Sequence, residues 1–229
     1  MLDNNEFYLT LVRHGQSVTN MNPDLMGQVP DVPLSEKGEA QAVRLYERLS
    51  GEGEQYDVVY ASPYTRAYRT AEIATNFNKR IVSVAELREY SAGDWTGVSR
   101  SQTVTPSLSM KMGALNQSFL PPNGESLNQV ERRVSKWLED EILYNKDKIK
   151  LAADKKSKGE LPPSYICFSH GMTIKCLLQY IMGFDKSFTW KITIENTSIS
   201  KLYFGKEGWR LLSINDHAHL STLWTPNKL

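Results

Sequence analysis

The chain has 229 residues, enough for one large domain or two small ones and for a core that needs no disulfide or metal to hold it. Charged residues make up 23 % and the formal charge is +1, so no global field recommends nucleic acid or a membrane surface. Any anion site must therefore be built from a few placed side chains. Cys167 and Cys176 lie in apolar stretches without Cys-x-x-Cys spacing, which points to buried thiols in a reducing compartment. Residues 1–6 are acidic, with no apolar signal region, and no run is apolar for long enough to span a bilayer, so the expected location is the cytoplasm.

The first element predicted is a strand, Leu9-Thr10-Leu11-Val12, which stops at Arg13-His14-Gly15-Gln16-Ser17. Alone, Arg-His-Gly reads as readily as a surface loop, although glycine at that point would let a ligand approach the backbone. A loop rich in Asn, Asp, Gly and Pro follows from Asn20 to Pro33. Ser35 then caps a helix with Ala42, Leu45, Tyr46 and Leu49 on one face, ended by Gly51 and Gly53. Asp57 to Ala61 is a short strand, and Ser62-Pro63 reads as the start of a helix running to about Asn78. Ile81 to Val84 is the third strand. Strand and helix in alternation predict an α/β fold of three layers, with a mostly parallel sheet and helices on both faces.

Residues 85–125 break that rhythm with many glycines and prolines and only a weak helical tendency at Leu108 to Leu115. An insertion of this kind is expected to cap the carboxyl ends of the strands. Ser126 opens a helix with Val130, Val134, Trp137, Leu138 and Ile142 on one face. The lysine-rich segment at about 145–163 reads as a solvated helix end plus a loop, with a basic docking surface as the alternative. Tyr165 to Phe168 is a fully apolar strand, followed by Ser169-His170-Gly171 and a helix over Met172 to Met182. Thr197 to Phe204 and Trp209 to Ile214 read as antiparallel strands. No linker divides the chain, so 1–229 is expected to be one domain.

Two strands thus end in the same way, each with a histidine and a glycine. If both are central and parallel, the two imidazoles emerge at one edge of the sheet. Arg66 in the first turns of a helix and Glu89 just past the third strand reach the same edge. Two histidines, two arginines and a carboxyl group suffice for phosphoryl transfer. A neutral imidazole attacks phosphorus, guanidinium groups neutralise the oxygens, and a carboxylic acid protonates the leaving alkoxide. Such a site must remove on the order of 20 kcal/mol of barrier.

From Leu9 to about Leu220 the chain resembles the histidine phosphatase superfamily, also called phosphoglycerate-mutase-like. The resemblance is carried by the segment Leu11 to Ser17, Asn20, Gly27 to Ala40 with Asp31 to Gly38 inside it, Ser62 to Ala71, Leu87-Arg88-Glu89, Gly124-Glu125-Ser126, Ser169-His170-Gly171 and His219-Leu220. It implies that His14 is the nucleophile, that Arg13, Arg66 and His170 surround the phosphoryl group, and that Asn20 hydrogen-bonds it. It further implies that Glu89 serves as general acid and then as base, and that hydrolysis needs no metal or organic cofactor. Gly15, Gln16 and Gly171 flank the two histidines on the phosphate side, and Tyr90 and Arg100 are expected to face the substrate. The family's mutases carry Glu-Arg-His-Tyr-Gly at the acid, where this chain has Glu89-Tyr90-Ser91-Ala92-Gly93, with Arg100 the only basic residue between Arg88 and Lys111. That departure favours a phosphatase over a mutase, and the presence of all five core residues, Arg13, His14, Arg66, Glu89 and His170, disfavours a catalytically silent phosphate-binding scaffold. The expected partner is a small phosphorylated molecule or a phosphorylated protein. His217-Ala218-His219 is read as structural, not as a metal pair.

Overall fold

The computed structural model describes residues 5–22, 24–27, 29 and 31–221. The acidic start at 1–4 and three residues of the early loop (Pro23, Gln28 and Pro30) lie outside that set. Six strands form one sheet: β1 (Phe7–Arg13), β2 (Val58–Ala61), β3 (Ile81–Ser83), β4 (Ser164–Ser169), β5 (Ile199–Gly205) and β6 (Gly208–Asp216). Their spatial order is β3-β2-β4-β1-β5-β6. The first four in that order run parallel, and β5 and β6 add an antiparallel edge.

Alternation along the strands decides which helices they hold. Leu9, Leu11, Tyr60, Tyr165 and Cys167 face one side, where they meet α5 (Leu127–Leu138) and α7 (Gly171–Met182). Val12, Val59, Ile166 and Phe168 face the other, against Leu45 and Leu49 of α1 (Glu36–Gly51) and Ala71 and Ala74 of α2 (Thr65–Ala74). Strands buried on both faces need continuous apolar runs, as β1 and β4 have. Each fully buried leucine or isoleucine there contributes about 1.5–3 kcal/mol. Both cysteines are buried and free.

Several local expectations are corrected. Helix α2 starts at Thr65 with Tyr64 at its cap, not at Ser62-Pro63, and the Ser62 hydroxyl lies against His170. The insertion carries two helices, α3 (Arg100–Thr103) and α4 (Pro106–Leu115). Helix α4 is capped by Thr105 with proline in its first turn, but it buries no residue, so it leaves little apolar periodicity to read. The lysine-rich segment is a helix of its own, α6 (Lys146–Ser157), capped by Asn145. Lys155 pairs with Asp57, Lys156 pairs with Glu6, and Lys148 lies over the rings of Tyr60 and Tyr165. Those pairings pin α6 to the sheet. A last short helix, α8 (Phe188–Lys191), follows α7. No helix among the described residues is long and apolar enough to cross a membrane.

Candidate active site

Strand register brings the two histidines together. Arg13 of β1 is paired with Ser169 of β4, so His14 and His170 each stand one residue past the same rung, with ring centroids 5.0 Å apart. Both are buried, His14 at 2 % exposure and His170 at 0 %. Nδ1 of His14 lies 2.6 Å from the Gly15 carbonyl oxygen. A carbonyl can only accept, so Nδ1 carries the proton and Nε2 holds the lone pair. The Nε–H of Arg66 donates to that Nε2 at 3.3 Å. Burial first, then Arg66 and Arg13, holds His14 well below the usual imidazole range, so it is neutral at pH 7.

Arg66 is fully buried; burial lowers it to about 10, which leaves it charged at neutral pH. Its Nη1 donates to the Val29 carbonyl and its guanidinium lies over the Tyr64 ring. Nη1 of Arg13 donates to the Ile194 carbonyl. Three buried nitrogens at this spot, Arg13 Nε, Arg66 Nη2 and His170 Nδ1, have no hydrogen-bond partner among the described residues. Buried polar groups are almost always satisfied, so a knot of unsatisfied donors around a lone pair is an arrangement that can receive an anion.

Glu89 is positioned by the amino end of α7. Its Oε1 accepts from the amides of Tyr90 and Thr173, and its Oε2 from the amide of Met172. The segment before it is fastened to the β4–α7 junction, since Ser169 Oγ donates to the Leu87 carbonyl and Thr173 Oγ1 to that of Arg88. Glu89, Tyr90 and Arg100 all line a cavity of about 560 Å³, whose far wall is α4. Burial pushes the Tyr90 phenol up to about 12.

The remaining predicted residues are placed differently. A Cβ on Gly15 would stand 2.6 Å from the Gly38 carbonyl oxygen, so that glycine admits the backbone of α1 and not a ligand. Gln16 ties the same loop down, donating from its amide to Gln41 and accepting from Ser35 at its carbonyl. Asn20 uses its side-chain oxygen for Ser17, in a capping box on the turn Val18–Met21. Gly171 opens α7, and a Cβ there would rest 3.6 Å from Arg13 Nε, an ordinary contact. Nε2 of His219 lies 3.1 Å from Thr197 Oγ1, on the chain segment that also hydrogen-bonds the Arg13 carbonyl.

The sequence profile of the histidine phosphatase superfamily (branch 1) matches residues 9–217. The chain belongs to that superfamily. It is 28 % identical to the "Uncharacterized phosphatase PhoE" of Bacillus subtilis over 212 residues, covering 92 % of this chain and 95 % of that protein. Over 132 residues it is 32 % identical to a 2,3-bisphosphoglycerate-dependent phosphoglycerate mutase of Bartonella tribocorum, covering 55 % of this chain and 64 % of the mutase. Bacillus stearothermophilus YhfR shares the fold at a TM-score of 0.75 and 23 % identity, covering 94 % of this chain and 100 % of that one.

For a histidine phosphatase superfamily member, the neighbours that hold the site in shape were harder to read than the site itself. Arg133 of α5 makes a fork on Glu125 and donates to the carbonyls of Glu86 and Glu89, which locks the turn that carries Glu89. Ser62 Oγ lies 2.8 Å from His170 Nε2 while accepting from the Tyr64 amide. Trp190 lines the cavity from α8. Arg133 stands mid-way along α5, more than two turns from Glu125, so no local spacing rule pairs them; Ser62 read only as a helix start, and Trp190 carried no local signal.

Proposed function

We propose that the protein is a phosphomonoesterase that works through a phosphohistidine on His14. The observation that carries this reading is the neutral, lone-pair-bearing Nε2 of His14 beside the unsatisfied nitrogens of Arg13, Arg66 and His170. Nε2 attacks phosphorus while the arginines and His170 hold the equatorial oxygens, and the bond to the ester oxygen breaks. Glu89, at the mouth of the cavity, gives its proton to the departing alkoxide. Water then enters, Glu89 takes one of its protons, and inorganic phosphate leaves with His14 restored. Hydrolysis is favoured over transfer to a second sugar-acid hydroxyl because, among the described residues, Arg100 is the one basic side chain on the cavity wall to meet a carboxylate.

The test is hydrolysis of an aryl phosphate in the presence of a chelator, with acid-labile, base-stable phosphoenzyme trapped by rapid quench. Wild type should turn over and label at His14. The His14→Ala variant should lose at least 10³-fold in kcat and all labelling, consistent with loss of a covalent nucleophile. Activity that vanishes with chelator but survives His14→Ala would overturn the reading.

A further inference from the structure

We propose that the ester's organic half is a bulky apolar or aromatic alcohol, seated between the inserted helix α4 and the α7–α8 side of the core. The inference rests on the phosphatase reading above and specifies its substrate class.

The cavity next to Glu89 measures about 560 Å³, within the size range of sites for small organic molecules. Val104, Met112, Phe119, Leu127, Met172 and Trp190 line it. Trp190 is 62 % exposed, yet its indole Nε1 donates to Asn116 Oδ1, which anchors the ring at the cavity wall. Phe119 is backed by the Trp95 ring, 5.7 Å away and stacked. Those aromatic surfaces are held in place before any ligand arrives, which lowers the ordering cost of binding. The charged groups on the wall are Glu89 and Arg100. A carboxylate on the substrate would have, among the described lining residues, only exposed Arg100 to satisfy it, against a desolvation cost. An apolar body has no such cost and covers surface now left to water.

Gly113 offers a clean way to shrink the space. It lines the cavity from within α4, and a Cβ built there meets no atom within 4 Å. A side chain at this position has open space beside the cavity.

The experiment compares kcat/KM for ethyl, benzyl and 2-naphthylmethyl phosphate with that for 3-phosphoglycerate, all alkyl esters. The expected result is a rise of at least tenfold from ethyl to naphthylmethyl, with 3-phosphoglycerate below benzyl. Gly113→Phe should cut the naphthylmethyl-to-ethyl ratio at least tenfold. A flat series, or 3-phosphoglycerate as the best substrate, overturns the proposal and leaves the phosphatase reading standing. If no ester is hydrolysed, the phosphatase reading falls instead. The cavity is then judged by calorimetry, where 2-naphthylmethylphosphonate must bind at least tenfold more tightly than methylphosphonate, and equal affinities sink the proposal.

Discussion

His170 has two nitrogens with different duties, and Ser62 decides which one keeps the proton. Ser62 Oγ already accepts from the Tyr64 amide, so its hydrogen is free to go to His170 Nε2, which leaves the proton on the unsatisfied Nδ1. Nδ1–H can then donate to a phosphoryl oxygen without the ring having to charge. Charging is opposed by burial, then by His14 and the arginines, which hold His170 well below the usual imidazole range. Ser62 is thus a positioning residue. Removing one such hydrogen bond typically costs about 0.5–1.5 kcal/mol, so Ser62→Ala should lower kcat up to about tenfold with a smaller change in KM. Ser62→Thr, which keeps the hydroxyl, should restore most of the rate. Equal losses in Ser62→Ala and Ser62→Thr would show that the site needs the small side chain and not the hydrogen bond.

Between elements, the decisive contact is the one that clamps the loop after β1 onto α1. Gly15 and Gly38 face each other so closely that a Cβ on Gly38 would stand 2.0 Å from the Gln16 carbonyl oxygen. The loop is also tied by the Ser35 amide to Gln16 and by the Gly15 amide to Thr70 of α2. Backbone cannot yield as a flexible side chain can. Gly38→Ala should therefore destabilise the fold by about 1–3 kcal/mol or more and misplace His14, read as a lowered urea midpoint together with reduced kcat. An unchanged midpoint would show that α1 can slide. This contact also marks the limit of what the sequence made legible. The strand-end motifs exposed His14, His170, Arg13, Arg66 and Glu89, because one sheet edge and a run of strand-to-helix joints place them by local rules. Gly15 was recognised as special but for the wrong neighbour, since nothing local says that α1 passes within contact distance. Helix α4 showed only as a weak helical tendency at Leu108 to Leu115 for a different reason: a helix with no buried residue has no apolar stripe to betray it. Ser62 read as a helix cap because Ser-Pro commonly is one, and only the distant His170 reveals its other use.

For the whole molecule, a site buried beneath the strand ends couples catalysis to acid stability. His14 and His170 are fully enclosed, and burial is the first cause that keeps both well below the ordinary value. In the unfolded chain both titrate near about 6.5. Their folded values are depressed, so above 6.5 neither state takes a proton and the stability is intact. As pH falls below 6.5 the unfolded chain binds protons that the fold refuses, and stability is lost progressively. His219, lowered to about 4 chiefly by burial, acts in the same direction, though its partial solvation makes its share smaller. The carboxylates held low by their partners, Glu6, Glu52 and Asp216, lose their contribution only below the ordinary carboxylate range, about pH 4.5. The window from pH 7 to 5.5 therefore isolates the histidines. The protons taken up by the unfolded chain at His14 and His170 across it amount to about 2–3 kcal/mol, with a smaller share from His219. Urea unfolding at the two pH values should show that loss, and His14→Asn should remove roughly a third to a half of it, because an amide does not titrate. A wild-type stability that is flat from pH 7 to 5.5 would mean that the buried pair can charge inside the fold, and with it the neutral nucleophile would fall.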